Sequence, residues 1–74
     1  MIVVPEYRGH RIEVNAVEVE GRWNADVRIR RTLSSTTPHV ETVTCLKLRA
    51  DHAERSGERW AKRWVDFEAE ERKP

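Results

Sequence analysis

The 74-residue sequence is poor in the residues that mark many functional classes. It has one cysteine, three glycines, three prolines and five aromatic residues. It also has no apolar run near the ~18 residues needed to cross a membrane, so no membrane partner is expected. A lone Cys45 cannot form an intramolecular disulfide, and small secreted domains usually carry several. Together with the lack of a basic and apolar leader ending in small residues, this sets the expectation of a cytoplasmic protein. Scarce glycine leaves no phosphate-cradling loop, and no cofactor is expected. Charge of either sign is not in excess: the net value of +1 argues neither for nor against nucleic acid.

Catalytic chemistry finds equally little. Cys45 with His10, His39 or His52 could form a nucleophile and base, but a cysteine between Val43 and Leu46 reads first as a small apolar residue of a strand. The three histidines and the cysteine lack the paired spacing of a zinc site, so no metal site is expected. Asp66, Glu68, Glu70 and Glu71 read as a solvated helix end rather than as acid and base. The expectation is a protein that is not an enzyme. At this length a chain makes one domain, and folding buries only ~60% of the unfolded surface, so a partner subunit would help a thin core.

What the sequence does have is alternation. From Tyr7 the period is two: Ile12, Val14 and Ala16 alternate with Arg11, Glu13 and Asn15, and in the next strand Ala25, Val27 and Ile29 alternate with Asp26, Arg28 and Arg30. Each pattern marks a strand with one buried face. If Glu20-Gly21 centres their connection, facing residues have numbers summing to 41, which pairs Ile12 with Ile29, Val14 with Val27 and Ala16 with Ala25. The two alternations then agree on one register. The turn itself reads as two or four residues long, because Glu suits a left-handed backbone poorly.

Met1 to Val4 is apolar, and Pro5 makes residues 1–6 an edge strand or a loose arm. Thr32 to His39 reads as a loop, and a third strand is expected over Val40 to Leu48, with Val43 and Cys45 inward and Leu46 near a bulge or an interface. A helix then starts at Asp51 as N-cap, with Glu54 three residues on. Its apolar stripe carries Ala53, Gly57, Trp60, Trp64 and Phe67, with Ala61 on the shoulder. Gly57 on that stripe implies a close approach to the sheet. The acids after Phe67 oppose the negative helix end, so residues 68–74 are expected to fray. The fold class is therefore α+β: a three-stranded antiparallel meander with one C-terminal helix on one face, in a single domain over 1–74.

That β-β-β-α order is similar to the three-stranded DNA-binding domains of plant transcription factors and of some integrase arms. It also overlaps part of double-stranded-RNA-binding domains and of HicB-type antitoxins, analogies that weigh little for function. The stretches Tyr7 to Val14 and Ala53 to Ala61, with Arg63-Trp64-Val65-Asp66 after them, resemble a group of short uncharacterised proteins from beta-proteobacteria. The resemblance implies no activity.

Two surface signals remain. Charge is uneven: two arginines against four glutamates in residues 1–20, six basic against two acidic groups in 21–50, and six against seven in the rest. Arg11, Arg28, Arg30, Lys47 and Arg49 thus make a basic patch for a nucleic-acid or protein partner. Val17 and Val19 fall on the outer face, where they either meet a second copy in a homodimer or lie under the N-terminal arm. The leading expectation is a small non-enzymatic interaction module that binds protein through the open sheet face or the arm. The second is a nucleic-acid-binding domain.

Overall fold

The computed structural model describes residues 1–33 and 37–71. Four strands, β1 (Ile2–Tyr7), β2 (His10–Val19), β3 (Arg22–Arg31) and β4 (His39–Lys47), precede one helix, α1 (Ala50–Glu71). The strands form one antiparallel sheet in the order β1-β2-β3-β4. The fold class is thus α+β with a C-terminal helix as expected, but the sheet has four strands rather than three. Residues 2–7 are a paired edge strand. Pro5 is tolerated because it lies in the stretch between Val4 and Tyr7 where the pairing with β2 is irregular, so no regular ladder bond is lost.

The first two hairpins close through two residues of positive φ each: Arg8 (50°) and Gly9 (82°), then Glu20 (50°) and Gly21 (78°). Two left-handed central residues are the mark of the turn whose twist matches the flanking strands. Glu20 therefore accepts the strained conformation, and the two-residue reading holds. The register of β2 on β3 is the one the alternations require, from His10 opposite Arg31 to Val19 opposite Arg22.

The third hairpin is less regular. The loop expected from Thr32 to His39 includes 34–36, outside the described residues, and β4 begins at His39. Between Ala25–Val43 and Trp23–Lys47 the register shifts, and Leu46 takes a φ of 48°. The side-chain oxygen of Asn24 accepts the backbone N–H groups of Cys45 and Leu46, both at 3.1 Å. Asn24 thereby satisfies donors that the bulge takes out of the ladder, and it is itself 8% exposed. Leu46 lies at a bulge, as its pattern suggests.

One face of the sheet meets α1. Ile12, Val14, Ala25, Val27 and Ile29 are buried there against Ala53, Ala61 and Val65. The buried helix line is Ala53, Gly57, Ala61 and Val65, four residues apart each time. Trp60 and Trp64 pack beside it, half-buried, and Phe67 is 63% exposed. The expected stripe is thus rotated toward Ala61 and Val65. A Cβ on Gly57 would lie 2.6 Å from Ala25 Cβ and 2.7 Å from Val14 Cγ1. Only small side chains let the helix sit this low, which moves the tryptophans to its flank.

The helix starts at Ala50, so Asp51 lies inside the first turn. Its carboxylate accepts from Arg49 Nε at 3.0 Å. At the other end the helix runs to Glu71, so residues 68–71 of the segment expected to fray are helical, and 72–74 lie outside the described residues. Arg8 is held in its charged form by its hydrogen bond to Asp66 first, with Glu70 only a minor contributor.

Candidate interaction surface

Alternation along β2 and β3 sends Arg11, Glu13, Asn15, Val17 and Val19, with Arg22, Asp26, Arg28 and Arg30, to the face opposite α1. The residues in phase with Ile12 and Val27 are on the helix side. No described element covers this outer face. Cross-strand rows run straight over it: Val3, Glu13, Arg28 and Val40 form one, and Asn15, Asp26 and Thr42 another. Arg11 stands directly opposite Arg30.

Three of the five basic residues singled out from the sequence therefore meet. Arg11, Arg28 and Arg30 surround a dimple of about 50 Å³ with Glu13. Arg11 reaches Glu13 only at 3.4 Å. Among the described residues neither Arg28 nor Arg30 has an ion pair or a side-chain hydrogen bond. Two like charges opposite each other on a sheet are unfavourable without an anion between them, so this corner of the face favours negative charge from outside.

The other two basic residues are elsewhere. Lys47 lines a shallow groove with His52, Arg55, Ser56 and Arg59 on the helix side, and Arg49 is held by Asp51. Lys47 follows Val43 by four residues, and Val43 stands opposite the helix-facing Ala25, so alternation puts Lys47 on the helix side, where it stands opposite Trp23. Val17 and Val19 lie where expected, 42% and 45% exposed. Strand β1 reaches only as far as the partner of Val14, so the N-terminal segment does not cover them.

A second group of side chains was not brought together from the sequence, although His10, His39 and Glu68 were each weighed there for other chemistry. At the end of the sheet nearest the helix C-terminus, His10, Arg31, Thr37, His39, Trp64 and Glu68 line an open cleft of about 310 Å³. The His39 ring stacks on Trp64 at 4.6 Å and 14°, and its Nε2 lies 3.2 Å from Glu41. The signal was present: His10 and Arg31 are in phase with buried Ile12 and Ile29, and polar residues there must stand at the rim of the core.

Beside this cleft, Asp66 accepts the Tyr7 hydroxyl at 2.9 and 3.0 Å and Arg8 Nη1 at 2.8 Å. Arg8, and then the Tyr7 hydroxyl, hold the Asp66 carboxyl below its ordinary range. The same hydrogen bond to Asp66 pushes the Tyr7 phenol up. These contacts fasten the first hairpin to the last third of α1.

The nucleophile reading of Cys45 gains no geometry. Its Sγ approaches the Trp23 carbonyl oxygen at 3.5 Å, and no histidine bonds to it among the described residues. Those residues also contain no group of three or more His, Cys, Asp or Glu side chains placed to hold a metal ion. None of their helices is long and apolar enough to cross a membrane. Comparison with known proteins gives no match: no family model, curated protein or solved structure is significantly similar to this chain.

Proposed function

We propose that this chain is a small non-enzymatic interaction module whose outer sheet face docks an acidic protein surface. The observation that carries this reading is a bare face on which Arg28 and Arg30 have no ionic partner among the described residues. Exposed Val3 and Val40 stand in the row of Arg28, and exposed Val17 and Val19 lie further along β2, opposite Asn24 and Arg22. Mixed apolar and charged surface of this kind is the composition of non-obligate protein interfaces. The arginines supply steering and specificity, and the valines supply area that water leaves on binding.

The same arginines favour nucleic acid as a second reading. Two features of the face weigh against it. Glu13 and Asp26 sit among the basic groups, and Tyr7, Trp60 and Trp64 pack on the helix side, so they offer no stacking platform to bases.

Fluorescence anisotropy with two labelled probes, a glutamate-rich polypeptide and a 20-base-pair DNA duplex, separates the readings. The protein reading expects the acidic polypeptide to bind, with a loss of about tenfold or more in the combined Arg28→Ala and Arg30→Ala variant and a smaller loss in Val17→Ser with Val19→Ser. Tight duplex binding would favour the second reading, with a slope of log K against log salt that falls by about two units in the arginine variant. Binding of neither probe at low salt would overturn both.

A further inference from the structure

The two edges of the sheet are not alike. On β1, Pro5 removes a donor and the register breaks between Val4 and Tyr7, both of which blunt an edge against further pairing. On β4, the run Val40-Glu41-Thr42-Val43-Thr44 has no proline, no lysine and no arginine. It is rich in β-branched residues and lies unpaired on one side among the described residues. Exposed apolar surface also gathers on this flank: Val40 is 54%, Leu46 53% and Phe67 63% exposed, with Trp60 and Trp64 half-buried beside them. From His39 to Val43 its pairing with β3 is regular, with the bulge only beyond Val43, and a free edge of this kind is a template for another strand.

The β4 sequence itself identifies that strand. A two-fold axis normal to the sheet keeps like faces together, so an antiparallel pair of β4 strands must centre on a single residue facing its own copy. Centring on Val40 sets Pro38 opposite Thr42 and puts a residue without an N–H into the ladder. Centring on Glu41 places two carboxylates directly opposite each other, which is destabilising. Centring on Val43 recruits Cys45 and Leu46, whose N–H groups are already held by Asn24. Centring on Thr42 pairs Val40 with Thr44, Glu41 with Val43 and Thr42 with Thr42. It meets none of these obstacles.

We infer that the chain forms a two-fold dimer through β4, in a continuous eight-stranded sheet centred on Thr42. The helix packs chiefly on β2 and β3, so at a strand spacing of ~4.8 Å the two helices stand about 19 Å apart, without collision. The dimer sets two Arg11, Arg28 and Arg30 clusters on one outer face and leaves an open trough between the helices, walled by Trp60, Trp64 and His39 of each copy. The ladder is short, which puts the interface at the small, weak end of the specific range. This inference stands apart from what the outer face binds, and either can fail alone.

The test is a disulfide trap in the full chain with Cys45→Ser. Antiparallel partners lie about 4.5–5.5 Å apart between Cα atoms, within disulfide reach. Thr42→Cys is therefore expected to give a linked dimer under mild oxidation, whereas Val40→Cys and Glu41→Cys, which face other residues across the axis, are not. Sedimentation equilibrium of the unmodified protein is expected to show its mass doubling with concentration, and Thr42→Lys, an exposed change that sets two ammonium groups on the axis, to abolish this while the circular dichroism is unchanged. A mass of one chain at every concentration, or linkage from the control cysteines as readily as from Cys at 42, would overturn the inference.

Discussion

Gly57 shows how much one residue can decide. Alanine is better than glycine in a helix by roughly 1 kcal/mol, so on propensity alone Gly57→Ala should stabilise. At this position a Cβ would sit 2.6 Å from Ala25 Cβ, closer than two carbon atoms can come. Overpacking then outweighs propensity, and we expect Gly57→Ala to cost about 1–3 kcal/mol and Gly57→Leu more. Urea denaturation measures it, and a raised midpoint for either variant would contradict the close approach. This close approach was legible in the sequence, because glycine on the apolar stripe of a helix has few other uses. The ties at Asp66 were not, since Tyr7 and Arg8 are nearly sixty positions away. They predict a pH dependence. The Asp66 pKa is depressed in the fold, so its stabilisation is complete above the ordinary aspartate range near about 4 and is lost as pH falls through the lowered value. The Tyr7 pKa is raised, so its share is complete below the ordinary tyrosine value near about 10 and is lost as pH rises beyond it. Asp66→Asn should flatten both limbs of a plot of urea midpoint against pH.

At the scale of elements, the β2–β3 hairpin was readable because two independent alternations had to agree on one register, and they agree in the structure from His10 to Val19. The first hairpin was harder to read. Arg8-Gly9 carries a weaker turn signal than Asn-Gly, and Pro5 argued against a strand that survives only because it lies at the edge and is irregular there. The helix was legible in existence and in its sheet-facing side, but its rotation was not. Period alone cannot tell whether bulky or small residues take the centre of a buried stripe, and here the sheet admits only Ala53, Gly57, Ala61 and Val65. Three substitutions check this facing. Val65→Ala should cost about 2 kcal/mol from lost burial and a residual cavity. Trp64→Ala should cost about the same, roughly half the value for a fully buried tryptophan. Phe67→Ser should stay within about 0.5 kcal/mol. A large loss at Phe67 with none at Val65 would restore the stripe that the period alone suggests.

At the scale of the whole molecule, one helix covers one face of a four-stranded sheet, and among the described residues the other face has no cover and carries Arg28 and Arg30 without an ion pair, together with exposed valines. Sequence reading found the members of that surface by their alternation. The side of Lys47 was legible too, because it is in phase with the inward Val43 and Cys45, whereas the claim of Asp51 on Arg49 depends on the turn into α1 and was not. The proposed function rests on the outer face, rather than the helix, being where a partner protein docks. The most direct measurement places a photo-cross-linking amino acid, in cells, at Asp26 on the outer face or at Arg59 on the solvent side of α1, and repeats the first in the variant lacking Arg28 and Arg30. The account predicts a discrete protein adduct from position 26 that disappears with the arginines, and none from position 59. Adducts from position 59 alone, or adducts from position 26 that persist without Arg28 and Arg30, would contradict it.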